Sequence, residues 1–130
     1  MPNQAPRGEI LLVDDEPAVR LSVSRYLRSV GFSVCAARER EEAEALIATR
    51  TFSAVLTDLR LSAAHRAEGL EILGFAREHC PDVPVVLMTG YGSRDVQLEA
   101  QLRGASAVLA KPTPLPEVAQ LLMALIQEER

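Results

Sequence analysis

Three carboxylates, a hydroxyl and an ammonium each stand where a short apolar run stops. Asp14 and Asp15 follow Ile10-Leu11-Leu12-Val13, Asp58 follows Val55-Leu56-Thr57, Thr89 follows Val85-Val86-Leu87-Met88, and Lys111 follows Ala107-Val108-Leu109-Ala110. In an open parallel sheet the ligand crevice lies beyond the carboxyl ends of the strands, so these five side chains are predicted to converge. Two unit charges ~4 Å apart repel by ~4 kcal/mol at an effective dielectric of ~20, so three clustered carboxylates need a counter-ion. Hard oxygen ligands with positions left for water and phosphate suit Mg²⁺ rather than zinc. With that charge neutralised, Asp58 can attack phosphorus to form an acyl phosphate. Lys111 supplies a second positive charge, and the Thr89 hydroxyl and the backbone amides after Asp58 and Thr89 donate to phosphoryl oxygens.

Each residue alone has an ordinary reading. Asp14 and Asp15 could cap the helix that begins near Pro17. Asp58 and Thr89 are common at strand exits, and a lone lysine is most often a solvated surface charge. Four such placements at successive strand ends favour the joint reading.

The elements that must position these residues follow a simple alternation. Short apolar runs alternate with segments of helical period, the pattern of repeated βα units around a parallel sheet. The predicted strands are residues 9–13, 32–36, 53–57, 85–88 and 106–110. The first predicted helix has Pro17 in its first turn, an apolar face of Val19, Val23, Tyr26, Leu27 and Val30, and Gly31 as its stop. The second spans 39–49 with a narrow stripe of Ala43, Leu46 and Ile47. A polar loop over 59–68 leads to a third helix carrying Leu70, Ile72, Leu73 and Phe75, which Pro81-Asp82-Val83-Pro84 ends. Ser93 is a predicted N-cap for a fourth helix ending at Gly104, and 115–127 forms the last helix.

At 130 residues the chain fits one domain with one core. Residues 1–8 are read as a flexible leader and 9–130 as the folded domain. With 48% apolar, 25% charged and 4% aromatic residues and no Trp, the composition is that of a globular protein with an aliphatic core. Net charge is -4 and no basic cluster stands out, from which no direct nucleic-acid contact is expected. Cys35 and Cys80 are not closely spaced and read as reduced structural thiols. No apolar run approaches the ~20 residues of a membrane span and the leader lacks an apolar core, so a cytoplasmic protein with no membrane partner is expected.

These motifs, taken together, resemble the receiver domain of two-component response regulators. The resemblance covers residues 9–127 and rests on Leu11-Leu12-Val13-Asp14-Asp15-Glu16-Pro17, Val55-Leu56-Thr57-Asp58-Leu59, Gly69-Leu70-Glu71, Pro84-Val85-Val86-Leu87-Met88-Thr89-Gly90, and Gly104-Ala105-Ser106 through Lys111-Pro112. It implies a flavodoxin-like, doubly wound α/β fold with strand order 2-1-3-4-5 and helices on both faces. It implies that Asp58 accepts phosphate from a phosphohistidine on a sensor histidine kinase or phosphotransfer protein. Asp15 and Asp58 would bind Mg²⁺ directly, Asp14 through water, and the Arg60 carbonyl would complete the protein ligands. Thr89 and Lys111 would grip the phosphoryl group, and the Lys111-Pro112 bond would be cis. The switched surface, and a homodimer, would use the fourth helix, fifth strand and fifth helix.

The chain departs from that family in three places. Val108 occupies the position of the usual aromatic switch residue, which leaves Tyr91 as a candidate contributor beside Thr89. The loop after Asp58 has Leu61-Ser62 in place of a Met-Pro pair and is about three residues longer, an insertion the fold tolerates. Thr113 follows Pro112 where Phe is frequent. His65 and His79 are read as surface residues, with His65 close enough in sequence to touch the site or a partner. No output domain is expected after the last helix, so output would come from surface contact, dimerisation or a domain outside this chain. Two rival readings are a receiver fold kept as an interaction module with weak or uncoupled phosphorylation, and an aspartyl-phosphate phosphatase of the haloacid dehalogenase type. The second needs an acid two residues after the nucleophile, where Arg60 stands.

Overall fold

A computed structural model describes residues 7–60, 68–90 and 94–128. Strands and helices alternate without exception: β1 (Glu9–Val13), α1 (Pro17–Ser29), β2 (Ser33–Ala37), α2 (Arg40–Thr49), β3 (Ala54–Asp58), α3 (Glu68–His79), β4 (Val85–Thr89), α4 (Arg94–Leu102), β5 (Ala107–Ala110) and α5 (Leu115–Glu128). All strand pairs are parallel, and the order across the sheet is β2-β1-β3-β4-β5. The order reverses between β1 and β3, so helices fall on both faces and a crevice opens where the two directions part.

Strand alternation divides the core into two halves. Leu11, Val13, Val55, Val85 and Leu87 meet residues of α2, α3 and α4, including Ala43, Ile47, Ile72, Leu73 and Ala100. Ile10, Leu12, Ala54, Leu56, Val86 and Met88 meet α1 and α5 through Val23, Leu27, Val118 and Leu122. Four consecutive residues of β1 are fully buried, as a strand covered on both faces requires.

Local signals set the helix ends. Pro17 opens α1 in its first turn, and Gly31 takes a φ of 107° just past its end, a conformation that glycine adopts without a Cβ clash. Glu42 Oε1 accepts the Arg38 amide at 2.8 Å, satisfying one free donor ahead of α2.

Arg7 and Gly8, which the sequence placed in the leader, are bonded to the edge of the sheet. The Arg7 amide donates to the Gly31 carbonyl and the Gly8 carbonyl accepts the Ser33 amide, so both residues extend the β1–β2 edge. Strands β3 and β4 each run one residue further than predicted, because Asp58 pairs with Met88 and Thr89 with Ala110. Tyr91, His65, the Leu61-Ser62 pair and the Ser93 cap lie outside the described residues. Among those described, no helix is long and apolar enough to cross a membrane.

Candidate phosphoryl-transfer site

Parallel pairing in register brings the ends of β1, β3, β4 and β5 to one edge of the sheet. Asp14 sits one residue beyond β1, its amide bonded to Ala37 of β2, and is fully buried. Its Oδ1 accepts the Glu16 amide at 3.0 Å and its Oδ2 accepts Lys111 Nζ at 3.3 Å. The helix-capping role is therefore not what Asp14 performs: Glu16 is the N-cap of α1, and no side chain caps it. Asp58 closes β3 with its side chain 13% exposed, Oδ2 accepting Lys111 Nζ at 3.0 Å and Oδ1 the Arg60 amide at 3.4 Å. Asp15 is exposed, yet one carboxylate oxygen from each of Asp14, Asp15 and Asp58 falls within 4.8 Å of the others.

Lys111 leaves β5 with its amide bonded to the Thr89 carbonyl at 2.8 Å, and the Lys111-Pro112 bond is cis. Thr89 is buried at the end of β4. Asp58, Arg60, Thr89, Gly90, Lys111 and Glu16 line one cleft of about 210 Å³. The five side chains picked out at strand ends thus share one edge of the sheet: Asp58, Thr89 and Lys111 line the cleft, and Asp14 and Asp15 meet Asp58 beside it. Val108 does not: it is half-buried and packs on the core half shared by α2, α3 and α4. His79 is also remote, at the end of α3 with its ring stacked 3.8 Å from that of Phe75.

The electrostatics are unbalanced. Burial pushes the Asp58 carboxyl above its ordinary value and the Asp14 charge adds to the rise, while Lys111 and the Arg60 amide pull it back without overcoming it. Burial alone would lower Lys111, but its bond to Asp58 and the charges of Asp58 and Asp14 outweigh that and raise it. One ammonium faces three carboxylates, a deficit of two positive charges. A divalent cation with a taste for oxygen matches that deficit, and the donor set fits Mg²⁺ or a similar hard ion.

Two residues support the site without a role assigned to them from the sequence. Arg20, from the first turn of α1, donates from Nη1 to the Asp14 carbonyl at 2.8 Å and so holds the turn that presents both N-terminal acids. Glu16 contributes its amide to Asp14 and its side chain to the cleft wall. Arg20 leaves only its spacing, six residues past Asp14, as a trace in the sequence, whereas Glu16 stands within the motif Leu11 through Pro17.

Comparison with known proteins agrees with this geometry. The family model for the response regulator receiver domain matches residues 10–123. The response regulator PilR of Pseudomonas aeruginosa is 34% identical over 116 residues, covering 89% of this chain and 25% of PilR. The DNA-binding transcriptional regulator NtrC of Salmonella typhimurium is 28% identical over 116 residues, covering 89% of this chain and 24% of NtrC. A CheY-like receiver domain protein from Methanospirillum hungatei superposes with a TM-score of 0.86 at 26% identity, covering 93% of this chain and 94% of that one. This chain thus spans about a quarter of the length of the two curated relatives. These relatives overturn the expectation that nucleic acid is no partner, since NtrC is by name a DNA-binding regulator. A charge count over 130 residues does not speak for proteins about four times as long, whose phosphate-neutralising surfaces can lie elsewhere. With the acidic cluster, the strand order and the matched span in agreement, the chain belongs to the response regulator receiver domain family.

Proposed function

We propose that Asp58 is the phosphoryl acceptor of a two-component signalling reaction and that a sensor histidine kinase or phosphotransfer protein is the donor. An Asp58 carboxylate oxygen forms the new bond to phosphorus as the P–N bond to the donor histidine breaks, and the imidazole leaves with its electron pair. The observation that carries this reading is Lys111 Nζ, bonded at once to Asp58 at 3.0 Å and Asp14 at 3.3 Å beside a third carboxylate. Lys111 is placed to follow the charge from the carboxylate onto the arriving phosphoryl oxygens, and Thr89 lines the same cleft with a hydroxyl to donate. Asp14, Asp15 and Asp58, with the Arg60 carbonyl, would hold Mg²⁺. When bound, the ion supplies charge neutralisation for the phosphoryl oxygens and a fixed direction of approach. Asp14 is held by its bonds to Glu16 and Lys111, so it needs little reordering to serve.

By likeness to NtrC, a DNA-binding transcriptional regulator, the output we infer is control of transcription within a longer regulator. A second reading is favoured by Val108. Its half-buried, non-aromatic side chain offers no ring to rotate between cleft and surface, so phosphorylation would leave the outer face of α4, β5 and α5 unchanged.

Incubation with Mg²⁺ and acetyl phosphate, read by intact mass, tests the acceptor. Wild-type protein is expected to gain one phosphoryl group and Asp58→Asn none; an Asp58→Asn protein that still gains mass would refute the assignment. Amide shifts on treatment with beryllofluoride separate the two readings. Changes at Val108 and along α4 support a switch, and changes confined to the cleft support the uncoupled module.

A further inference from the structure

Gly69 stands in the first turn of α3, and its amide donates to the Leu59 carbonyl at 2.8 Å. A Cβ at this position would lie 2.6 Å from the Asp58 carbonyl oxygen, 2.8 Å from Leu59 Cα and 3.1 Å from the Leu59 carbonyl oxygen. All three are backbone atoms, which cannot swing aside as a side-chain tip does. There is no slack on their far side either. The Asp58 carbonyl accepts Thr57 Oγ1 at 3.0 Å, the Leu59 amide donates to the Met88 carbonyl at 2.8 Å, and the Leu59 side chain is buried. Leu70, Ile72, Leu73 and Ala76 are buried along α3, so the helix cannot retreat without opening the core. Gly74 on the same helix is the contrast: a Cβ there meets nothing within 4 Å.

We propose that Gly69 is a positioning residue for the acceptor. Its missing side chain lets α3 press directly on the backbone of Asp58 and Leu59, and that contact sets where the Asp58 carboxylate stands relative to Asp14, Asp15 and Lys111. The inference rests on the reading of Asp58 as acceptor and extends it to the residue that holds the acceptor in place. Relieving the shortest contact requires a shift of roughly half an ångström, the tolerance within which reacting groups must be held. A misplacement of about 1 Å costs on the order of a hundredfold in rate. The same shift displaces one of three carboxylates that must meet a common ion.

The experiment compares Gly69→Ala with Gly74→Ala in the full chain. Mg²⁺ affinity is read from amide shifts, the rate of mass gain from Mg²⁺ and acetyl phosphate, and folding from a urea melt. Gly69→Ala is expected to stay folded while binding Mg²⁺ about tenfold more weakly and gaining mass about tenfold more slowly, with Gly74→Ala equal to wild type in both. Equal affinity and rate in folded Gly69→Ala protein overturn the proposal while leaving Asp58 as acceptor. Wild-type protein that binds Mg²⁺ but gains no mass overturns the acceptor reading instead, and weaker Mg²⁺ binding by Gly69→Ala still supports the positioning role. If Gly69→Ala alone unfolds, it is placed on the Gly74→Ala background, which regains helix propensity. Failure to fold even there overturns the proposal by making Gly69 a residue of the core rather than of the site.

Discussion

The two ends of the sheet handle charge in opposite ways. At the amino ends of the strands, Arg50 Nη2 lies 2.8 Å from both carboxylate oxygens of Glu9, with the side chains 46% and 28% exposed and the guanidinium standing 5.6 Å over the Phe52 ring. At the carboxyl ends, Asp14 is fully buried and Asp58 nearly so, and Lys111 is bonded to both. The first arrangement is neutral, paired one to one and hydrated. The second carries excess negative charge out of water. Water screens the first pair, so it adds little to stability; the second cluster is a standing cost that the fold tolerates because a ligand can relieve it.

The sharpest way to break the contrast is Lys111→Met. It leaves Asp14 and Asp58 buried with no cation, and should lower unfolding free energy by about 3 kcal/mol in metal-free buffer, measured by urea denaturation. Added Mg²⁺ should restore part of the loss by mass action on the folded state. An unchanged midpoint would mean that the cluster is already neutral.

Next in size, and opposite in sign, is Asp58→Asn. Removing a carboxylate from an overcrowded site should stabilise the metal-free protein by on the order of 1 kcal/mol. Sign and pH range follow from linkage. The folded carboxyl is raised above its ordinary 3.8, so the native state holds the proton more tightly than the unfolded chain. Stability therefore falls as pH rises from 3.8 through the raised value, and the Asn variant should lack that fall. Lys111 gives the alkaline counterpart. Its folded value lies above 10.5, so its contribution is complete below 10.5 and lost as pH passes the raised value. The deficit of Lys111→Met relative to wild type should shrink over that range.

The smallest effect belongs to the other end. Glu9→Gln should cost about 0.5 kcal/mol, less in 1 M salt, by the same urea measurement. A loss comparable to that of Lys111→Met would erase the distinction between the two ends.

Much of this architecture was legible because period and position coincide. Short apolar runs such as Ile10-Leu11-Leu12-Val13, alternating with helical-period segments, read as strands covered on both faces, and a parallel sheet makes every strand end point the same way, so Asp14, Asp58, Thr89 and Lys111 were expected to share an edge. What escaped depends on reach rather than period. Arg20 touches Asp14 because a particular turn lies between them, and Gly69 touches Asp58 because α3 happens to cross β3 at backbone distance. The first distance has no signature in residue type, and the second leaves only the glycine of Gly69-Leu70-Glu71, which does not say what it presses on. Arg7 and Gly8 looked like a tail because they are not apolar, but an edge ladder uses backbone groups and asks nothing of side chains. The charge argument against nucleic acid failed for a different reason, being applied to a span that relatives embed in longer proteins.

The position of β1 between β2 and β3 has a consequence for how the molecule is assembled. This strand precedes the other four in the chain, yet its second edge stays unpaired until Ala54 through Thr57 of β3 arrive to meet Ile10 through Val13, more than forty residues later. Contacts so distant along the chain are slow to form. The pairing that fixes the end of β1 beside β3 also brings Asp58 up to Asp14 and Asp15, while Thr89 and Lys111 join the pocket only as β4 and β5 add to the sheet.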